Sequence, residues 1–492
     1  MPLSTATTPA TTPAAIPAAI PAPTPAASPA LPTALSPRAP ALARQSSGLL
    51  LALFFIVLLI PVNLEVAGLK LSPYRIYLLV LFIPLGVRLL AGGAGRVTPI
   101  DIGMSGYALL MMVTLIYHHG VEKLPYASVL AIEMFGSYVL GRILIRNAAD
   151  YQRFIRCFLW TLLLLSPLAL YELLSSRMPL AELFDRAFSV TKKNIEFRYG
   201  LSRVQVAFPH SILYGLFCSL ALASTYHLYR SSVLRALPRM ALVIGMTVMS
   251  LSSAPMLSVL IQTLMIVWDK ITRGNWKLLA GLVAGMYLFL EIFSNRGPVV
   301  IFIQNLTLDP NTGWTRIYIW RYGSASVLQN PLMGIGLNDW VRPYWLSSSV
   351  DNFWLLMAMR HGLPCLLFLI FALALHIRRI LQARDLSGEA AAVRRGYMVT
   401  LAGMIFTLAT VHIWNELAVF VMFFFGAGAF LYTSRTAAPA TDTELPPQGR
   451  PARRALPFSR FPSKAEPERA EPERAEPGPV RRGDRTMRRP RP

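Results

Sequence analysis

The chain has 492 residues, of which 54% are hydrophobic and only 15% are charged, and its formal net charge is +22. A soluble protein carries about 25% charged residues, whereas several apolar windows here run roughly 18 to 22 residues, enough to cross a bilayer. The windows are uniformly apolar rather than alternating, which excludes a membrane β-barrel. We therefore expect an all-α, polytopic membrane protein. Its Lys and Arg cluster in particular loops and in the tail, which favours the positive-inside rule over nucleic-acid binding.

Both ends of the chain have compositions that cannot form a core. Residues 1–46 are mostly Ala, Pro, Thr and Ser, and residues 435–492 are rich in Pro, Glu and Arg. We predict that both segments are disordered, and we expect no cleavable signal peptide. The surplus arginines of the tail are suited to contact with anionic membrane lipid.

The intervening residues, 47–434, are predicted to form a transmembrane domain of about twelve spans. These cover 47–62, 74–92, 101–118, 125–145, 154–173, 209–228, 239–252, 254–270, 276–294, 353–376, 397–412 and 415–434. The seventh and eighth are short and could form one broken hairpin around 250–255. No convincing inverted repeat, of the kind found in many transporters, is present.

Charge sets the predicted orientation of these spans. Basic residues concentrate in 142–156, 229–239, 270–277 and 378–395. An even number of spans puts all four segments on the same side as both termini, and the positive-inside rule makes that side the cytoplasm. Two long loops, 174–208 and 295–352, then face outward.

Common motifs for nucleotides and metals are missing from the sequence. It has no phosphate loop, HExxH, CxxC or DxD, and Gly334-Ile-Gly336 lacks the third glycine of a dinucleotide site. The cysteines lie in apolar stretches without ligand-like spacing and are interpreted as small hydrophobic residues. We expect no cofactor and no metal. Within the spans the clearest ionisable residue is Glu133, for which a functional role and a structural hydrogen bond are equally open.

Bases and aromatic residues concentrate in the two long loops instead. Arginine pairs bidentately with phosphate oxygens, so such a surface suits a phosphate or diphosphate. Its tryptophans and tyrosines could stack on sugar rings or could form only an interfacial belt. The polar candidates are Lys192, Lys193, Arg198, Arg203, His210, Arg296, Arg316, Arg321, Arg342, Asp351, Arg360 and His361; the aromatic ones are Trp314, Trp320, Trp340, Tyr344 and Trp345.

Several runs, in order along the chain, have the pattern of a known family. The run Arg316-Ile-Tyr-Ile-Trp320 precedes a turn, Pro331-Leu-Met-Gly334-Ile-Gly336, and then the pair Asp351-Asn352 before an apolar span. An earlier run, Arg203-Val-Gln-Val-Ala-Phe-Pro-His210, has Gly215 five residues on. Together they resemble the signatures of the O-antigen ligase and polysaccharide polymerase family, and a dozen spans with a late main loop match its architecture.

The resemblance implies glycosyl transfer at the outer face of the bacterial inner membrane. The donor would be a glycan on undecaprenyl diphosphate. The acceptor would be another carrier-linked glycan, in a polymerase, or a lipid A core sugar, in a ligase. Polysaccharide-assembly proteins would be possible partners. Arg203 and Arg316, with Arg321, would hold the diphosphate leaving group, and no metal would be needed.

One position departs from the family pattern. Where ligases usually carry the His of a His-Asn pair, this chain has Asp351. A carboxylate can also deprotonate a sugar hydroxyl, so Asp351 is the predicted base of an inverting transfer, and the missing His favours a polymerase. His361 is near in sequence but is a poorer positional match. The other predicted site residues are His210, Trp320, Asn352 and His361, with a structural turn formed by Pro331, Gly334 and Gly336.

Simpler interpretations stand beside these. Arg316 and Arg321 could pair with lipid phosphates, Asp351 beside Asn352 could cap the next helix, and His210 could satisfy backbone groups at a span entrance. The alternative function is a transporter of lipid-linked glycan or a small anion. A transporter places its essential charges near the membrane midplane, whereas most candidate charges here lie in the outer loops.

Overall fold

The computed structural model of the chain describes residues 38–66, 68–186, 188, 190, 194–294, 300–301, 310–383, 386 and 388–433. Its secondary structure is almost entirely helical, and nine helical segments of the described part are long and apolar enough to cross a membrane. The chain is thus a helical multi-pass membrane protein. Most of the two ends predicted to be disordered lies outside the described residues, as do Lys192, Lys193 and Arg296.

The helices are numbered here in chain order. They are α1 Arg38–Leu59, α2 Pro73–Leu90, α3 Pro99–His119, α4 Leu124–Leu144, α5 Ala148–Ser175, α6 Pro179–Asp185, α7 Ser211–Ser219, α8 Leu222–Tyr229, α9 Val233–Val248, α10 Ser253–Thr272, α11 Trp276–Phe293, α12 Pro310–Gln329, α13 Phe353–Gln382, α14 Gly388–Leu408, α15 Asn415–Ala427 and α16 Phe430–Thr433. A 3₁₀ turn, Val121–Lys123, precedes α4.

Every predicted span coincides at least in part with a helix, but the boundaries differ. Helix α1 begins at Arg38, ahead of the predicted start at residue 47. The break predicted near Ser250 lies between the end of α9 and the start of α10. Helices α1, α9 and α14 are not among the nine segments that meet the length and hydropathy required of a span. The number of twelve crossings therefore stays a prediction.

The two long predicted loops contain ordered elements that hydropathy does not reveal. The first holds helix α6 and a hairpin in which Phe197–Arg198 pairs with Leu201–Ser202. The second holds the 20-residue helix α12. Another hairpin, Leu64–Val66 with Leu69–Leu71, joins α1 to α2. These elements lie at helix ends, where they position the polar residues described below.

Aromatic side chains form the centre of the helical core. Phe54 of α1 stacks on Phe423 of α15 with ring centroids 4.5 Å apart. Phe217 of α7 lies 4.7 Å from both Phe158 and Phe420. Ring pairs at these distances add to the contribution of burial alone. The cluster therefore joins helices from both halves of the chain.

Helices α4 and α15 approach each other closely because both present glycine at the contact. A Cβ at Gly141 would lie 3.0 Å from the backbone nitrogen of Ala427, and one at Gly426 would overlap the carbonyl oxygen of Tyr138. Small residues allow this approach in membrane proteins, where packing rather than a hydrophobic drive holds helices together. The contact fixes α4, which carries Glu133, against the end of α15.

Candidate functional site

The segment from Arg203 to His210 is irregular but firmly held. The carboxylate of Glu172, at the end of α5, accepts hydrogen bonds from the backbone N–H groups of Gln205 (2.7 Å) and Val206 (3.0 Å). Val206 has a positive φ of 49°, a conformation that a β-branched residue adopts only when its surroundings enforce it. Glu172 is 1% exposed, so a buried carboxylate fixes the backbone of the predicted motif.

Glu196, which directly precedes the strand Phe197–Arg198, joins two of the predicted site residues. It forms an ion pair with the guanidinium of Arg203, and its other oxygen lies 3.5 Å from Nε2 of His210. The hydrogen bond from His210 and the neighbouring arginines lower the pKa of Glu196 below its ordinary value, against the opposing effect of burial. The carboxylate is therefore ionised at neutral pH. Sequence reasoning missed Glu196, although its place across the hairpin from Arg203 was a usable signal.

His210 has both of its ring nitrogens engaged. Nδ1 accepts a hydrogen bond of 3.1 Å from the backbone N–H of Ile212, which makes His210 the cap of α7. The simple backbone role foreseen for this residue is confirmed. The ring also lies against Trp414, with centroids 6.3 Å apart.

The turn between α9 and α10 contributes acceptors to the same region. Arg203 donates to the hydroxyl oxygen of Ser252 at 2.8 Å, and Arg198 donates to the carbonyl oxygen of Leu251 at 2.9 Å. Burial lowers the pKa of Arg203, and the neighbouring Arg198 lowers it further, while Glu196 opposes both. Two guanidinium groups are thus held close enough to repel each other.

Arg316, on α12, lies close enough to Arg198 and Asp351 for their charges to act on it. Burial lowers the pKa of its guanidinium, Asp351 opposes that effect by attraction, and Arg198 adds to it by repulsion. Among the described residues, the buried Nε of Arg316 has no hydrogen-bond partner, and neither has that of Arg203. The cluster formed by Glu196, Arg198, Arg203, Arg316 and Asp351, called the arginine cluster below, therefore has free donors for an anion.

Asp351 and Asn352 differ in what they do at the start of α13. Asn352 is the cap: its side-chain oxygen accepts a hydrogen bond of 3.0 Å from the backbone N–H of Leu355. The Asp351 carboxylate accepts a hydrogen bond of 3.0 Å from Ser349 Oγ and is partly exposed. The capping role considered for Asp351 therefore belongs to Asn352.

Residues 331–336 form the turn predicted from their prolines and glycines, and the turn packs on a kink in α13. Gly362 interrupts that helix with a φ of +79°. The carbonyl oxygens left without helical partners accept instead from the turn: Ile335 N–H bonds to Met359 at 2.8 Å and Gly336 N–H bonds to Arg360 at 2.9 Å. Pro331 accepts from Leu363 N–H at 2.7 Å. A broken helix within a membrane protein needs such internal partners.

Other predicted site residues lie outside the arginine cluster. Arg321 follows Arg316 by five positions, about 140° around a helix, and it is exposed, as is Trp320. Arg342 pairs with Asp339 at 2.5 Å. His361 is buried in α13, where Nδ1 bonds to Thr114 Oγ1 at 2.8 Å. Glu196 thus links Arg203 to His210, and Arg198 acts electrostatically on both Arg203 and Arg316. Within the described part of the chain, no contact joins Arg321 or His361 to these residues.

A cavity of about 440 Å³, lined by apolar as well as polar side chains, adjoins this region. Trp414, whose ring lies against His210, lines its wall. Glu133 also lines it, in an ion pair with Arg75, which sequence reasoning did not select. Both interpretations of Glu133 left open by the sequence therefore persist: it has a structural partner, and it faces a cavity.

The arrangement can bind an anion and move a proton. Its arginines offer donors that are only partly used, and a carboxylate stands beside them without a required structural bond. Comparison with protein-family models finds no match, and no curated protein matches the chain.

Proposed function

We propose that the protein is a metal-independent glycosyltransferase that polymerises or ligates glycan units carried on undecaprenyl diphosphate in the bacterial inner membrane. In this proposal about twelve spans place both termini in the cytoplasm and both long loops in the periplasm. The order of motifs along the chain supports the family resemblance. The observation that carries the proposal is that Arg316, with its unpaired buried Nε, lies close enough to Arg198 and Asp351 for their charges to act on it, while Arg198 also acts on Arg203.

The arginines would bind the diphosphate of the donor. Burial and repulsion from Arg198 disfavour the charges of both Arg203 and Arg316, so an anion that enters restores favourable pairing. Guanidinium groups match diphosphate oxygens geometrically. As the sugar departs, negative charge grows on the diphosphate, and arginines already in place stabilise it without reorganisation.

Asp351 would act as the base. The acceptor hydroxyl oxygen attacks the anomeric carbon of the donor sugar and forms the new glycosidic bond. The bond between that carbon and the phosphate oxygen breaks, and its electron pair stays on the diphosphate. The hydroxyl proton passes to the Asp351 carboxylate. Attack opposite the leaving group inverts the anomeric configuration.

The proposal is tested by complementing cells that lack the protein. Wild type should restore long surface polysaccharide, whereas Arg316→Ala and Asp351→Asn, present at equal membrane levels, should leave single lipid-linked repeats. Full-length chains that remain unattached to lipid A would identify a ligase instead of a polymerase. If both variants restore wild-type polysaccharide, the assignment of these residues fails.

A transporter of lipid-linked glycan is the second candidate, and the buried Arg75–Glu133 pair favours it. Glu133 is 2% exposed, lies within α4 and lines the cavity. Ionisable groups inside membrane-spanning helices often mark a substrate path. A transporter would depend on this pair and not on Asp351. Glu133→Gln should therefore abolish the activity of a transporter and spare that of a transferase, whereas Asp351→Asn should do the reverse.

A further inference from the structure

The ionisable side chains that line the cavity beside Trp414 carry more positive than negative charge. Lys70, Arg75 and Arg360 contribute cations, and Glu133 contributes one carboxylate. Arg75 already has partners within the protein. Besides its ion pair with Glu133, it donates hydrogen bonds to the carbonyl oxygen of Lys70 at 2.6 Å and to Asn415 Oδ1 at 3.5 Å. The excess of positive charge therefore rests on Lys70 and Arg360.

Arg360 has no anionic partner in the described part of the chain. The ion pairs within 4.0 Å there involve other arginines and His210. Its guanidinium is partly buried at the kink of α13, where the backbone carbonyl of the same residue is taken by Gly336. A partly buried cation that lines a cavity without a counterion is suited to bind an anionic ligand.

The remaining lining suits a sugar rather than a bare ion. His412 is kept neutral because burial and the charge of Arg360 lower its pKa to about 3, so it offers hydrogen bonds and not charge. Trp414 presents an aromatic wall and Asn415 a side-chain amide. A volume of about 440 Å³ lies in the range of small-molecule sites, roughly 300–1,000 Å³, and far exceeds the needs of a single phosphate.

We propose that this cavity binds an acidic sugar, a pyranose carrying a carboxylate or a phosphate, with Arg360 and Lys70 holding the anionic group. Trp414 both lines this cavity and lies against His210. If the proposed transferase activity holds, the sugar in the cavity belongs to the acceptor glycan. Its identification as acceptor rests on the proposed function, whereas the binding itself does not.

The test is direct binding of soluble probes to the purified protein in detergent, measured by saturation-transfer NMR. Glucuronate and glucose 1-phosphate separate carboxylate from phosphate as the anionic group, glucose lacks the charge, and inorganic phosphate lacks the sugar. At least one acidic sugar should bind about ten-fold more tightly than both glucose and inorganic phosphate. Equal binding of glucose, or of inorganic phosphate, would overturn the proposal.

Variants locate the binding. Arg360→Gln should weaken binding of the acidic sugar by at least about ten-fold, because one charge-assisted contact is lost. Lys70→Gln, at an exposed position of the cavity lining, should weaken it in the same direction without affecting the fold. Arg156→Gln, an exposed residue of α5 that bonds only to its own helix backbone, is the matched control and should bind normally. Unchanged binding in both cavity variants would contradict the proposal. None of these readouts involves transfer, so a failed transferase assay leaves them interpretable.

Discussion

Adjacent residues at the start of α13 have separable roles. Asn352 caps the helix, while Asp351 interacts with Ser349 and acts electrostatically on Arg316. We therefore expect Asn352→Ala to lower the free energy of unfolding by about 1 kcal/mol, the usual cost of a lost cap. Asp351→Asn should leave thermal unfolding unchanged and abolish transfer. An equal loss of stability in both variants would show that Asp351 is structural.

Arg316 and Arg321 provide a matched pair on one helix. Arg316 is partly buried beside Asp351 and Arg198, whereas Arg321 is exposed. Lysine keeps the charge but loses bidentate pairing, so Arg316→Lys should lower the transfer rate by about 10- to 100-fold, the range expected for one charged hydrogen bond. Arg321→Lys should change the rate by less than about two-fold. Similar losses of transfer rate in both variants would show that Arg321 also contributes to the site. Burial would then not distinguish the two residues.

His412 gives the protein a specific dependence on pH. Its pKa is about 3 in the folded protein, below its ordinary value of about 6.5. The unfolded chain therefore binds the extra proton between these values, and stability falls as pH drops from about 6.5 toward 3. At pH 5 the loss is at most about 2 kcal/mol. His412→Gln should show a smaller drop in the apparent Tm between pH 7.5 and pH 5 than wild type. An unchanged drop would mean that other groups dominate.

At the scale of elements, the turn 331–336 and the kink of α13 stabilise each other. A Cβ at Gly362 would overlap the carbonyl oxygen of Leu332, and its φ of +79° disfavours any other residue. Gly362→Ala should therefore lower the apparent Tm strongly or prevent accumulation in the membrane. Gly245→Ala, in α9 with nothing within 4 Å of the added Cβ, is the control and should fold normally. A Gly362→Ala protein as stable as this control would refute the coupling.

The sequence predicted these elements unevenly. The turn was foreseeable because Pro331, Gly334 and Gly336 have strong local preferences. Helix α12 was not, since its loop is rich in Gly, Trp and Tyr and its buried face consists of only a few residues, among them Ile319 and Val327. The hydrogen bond from the backbone N–H of Val206 to the Glu172 carboxylate joins residues 34 positions apart. Hydropathy and motif spacing do not encode such a contact.

At the scale of the whole molecule, the apolar segments were predictable because each must be long enough to cross a bilayer. Their mutual arrangement was not. The cluster that brings Arg198 near both Arg203 and Arg316 depends on the hairpin before residue 203 and on the turn at 250–252. The cavity containing Arg75 and Arg360 likewise combines distant helices. The order of motifs thus indicated the candidate site residues, whereas the packing of the helices and loops determines which of these residues lie close together.

Glycosyl transfer is tested most directly by following the leaving group. Purified protein in proteoliposomes would receive a glycan repeat on undecaprenyl diphosphate, with free undecaprenyl diphosphate quantified by mass spectrometry. Wild type should release one molecule for each glycosidic bond formed, and Asp351→Asn, at equal amount and with the same apparent Tm, should release essentially none. Movement of the substrate across the bilayer by wild type without release of the diphosphate, or equal release by both proteins, would contradict this account.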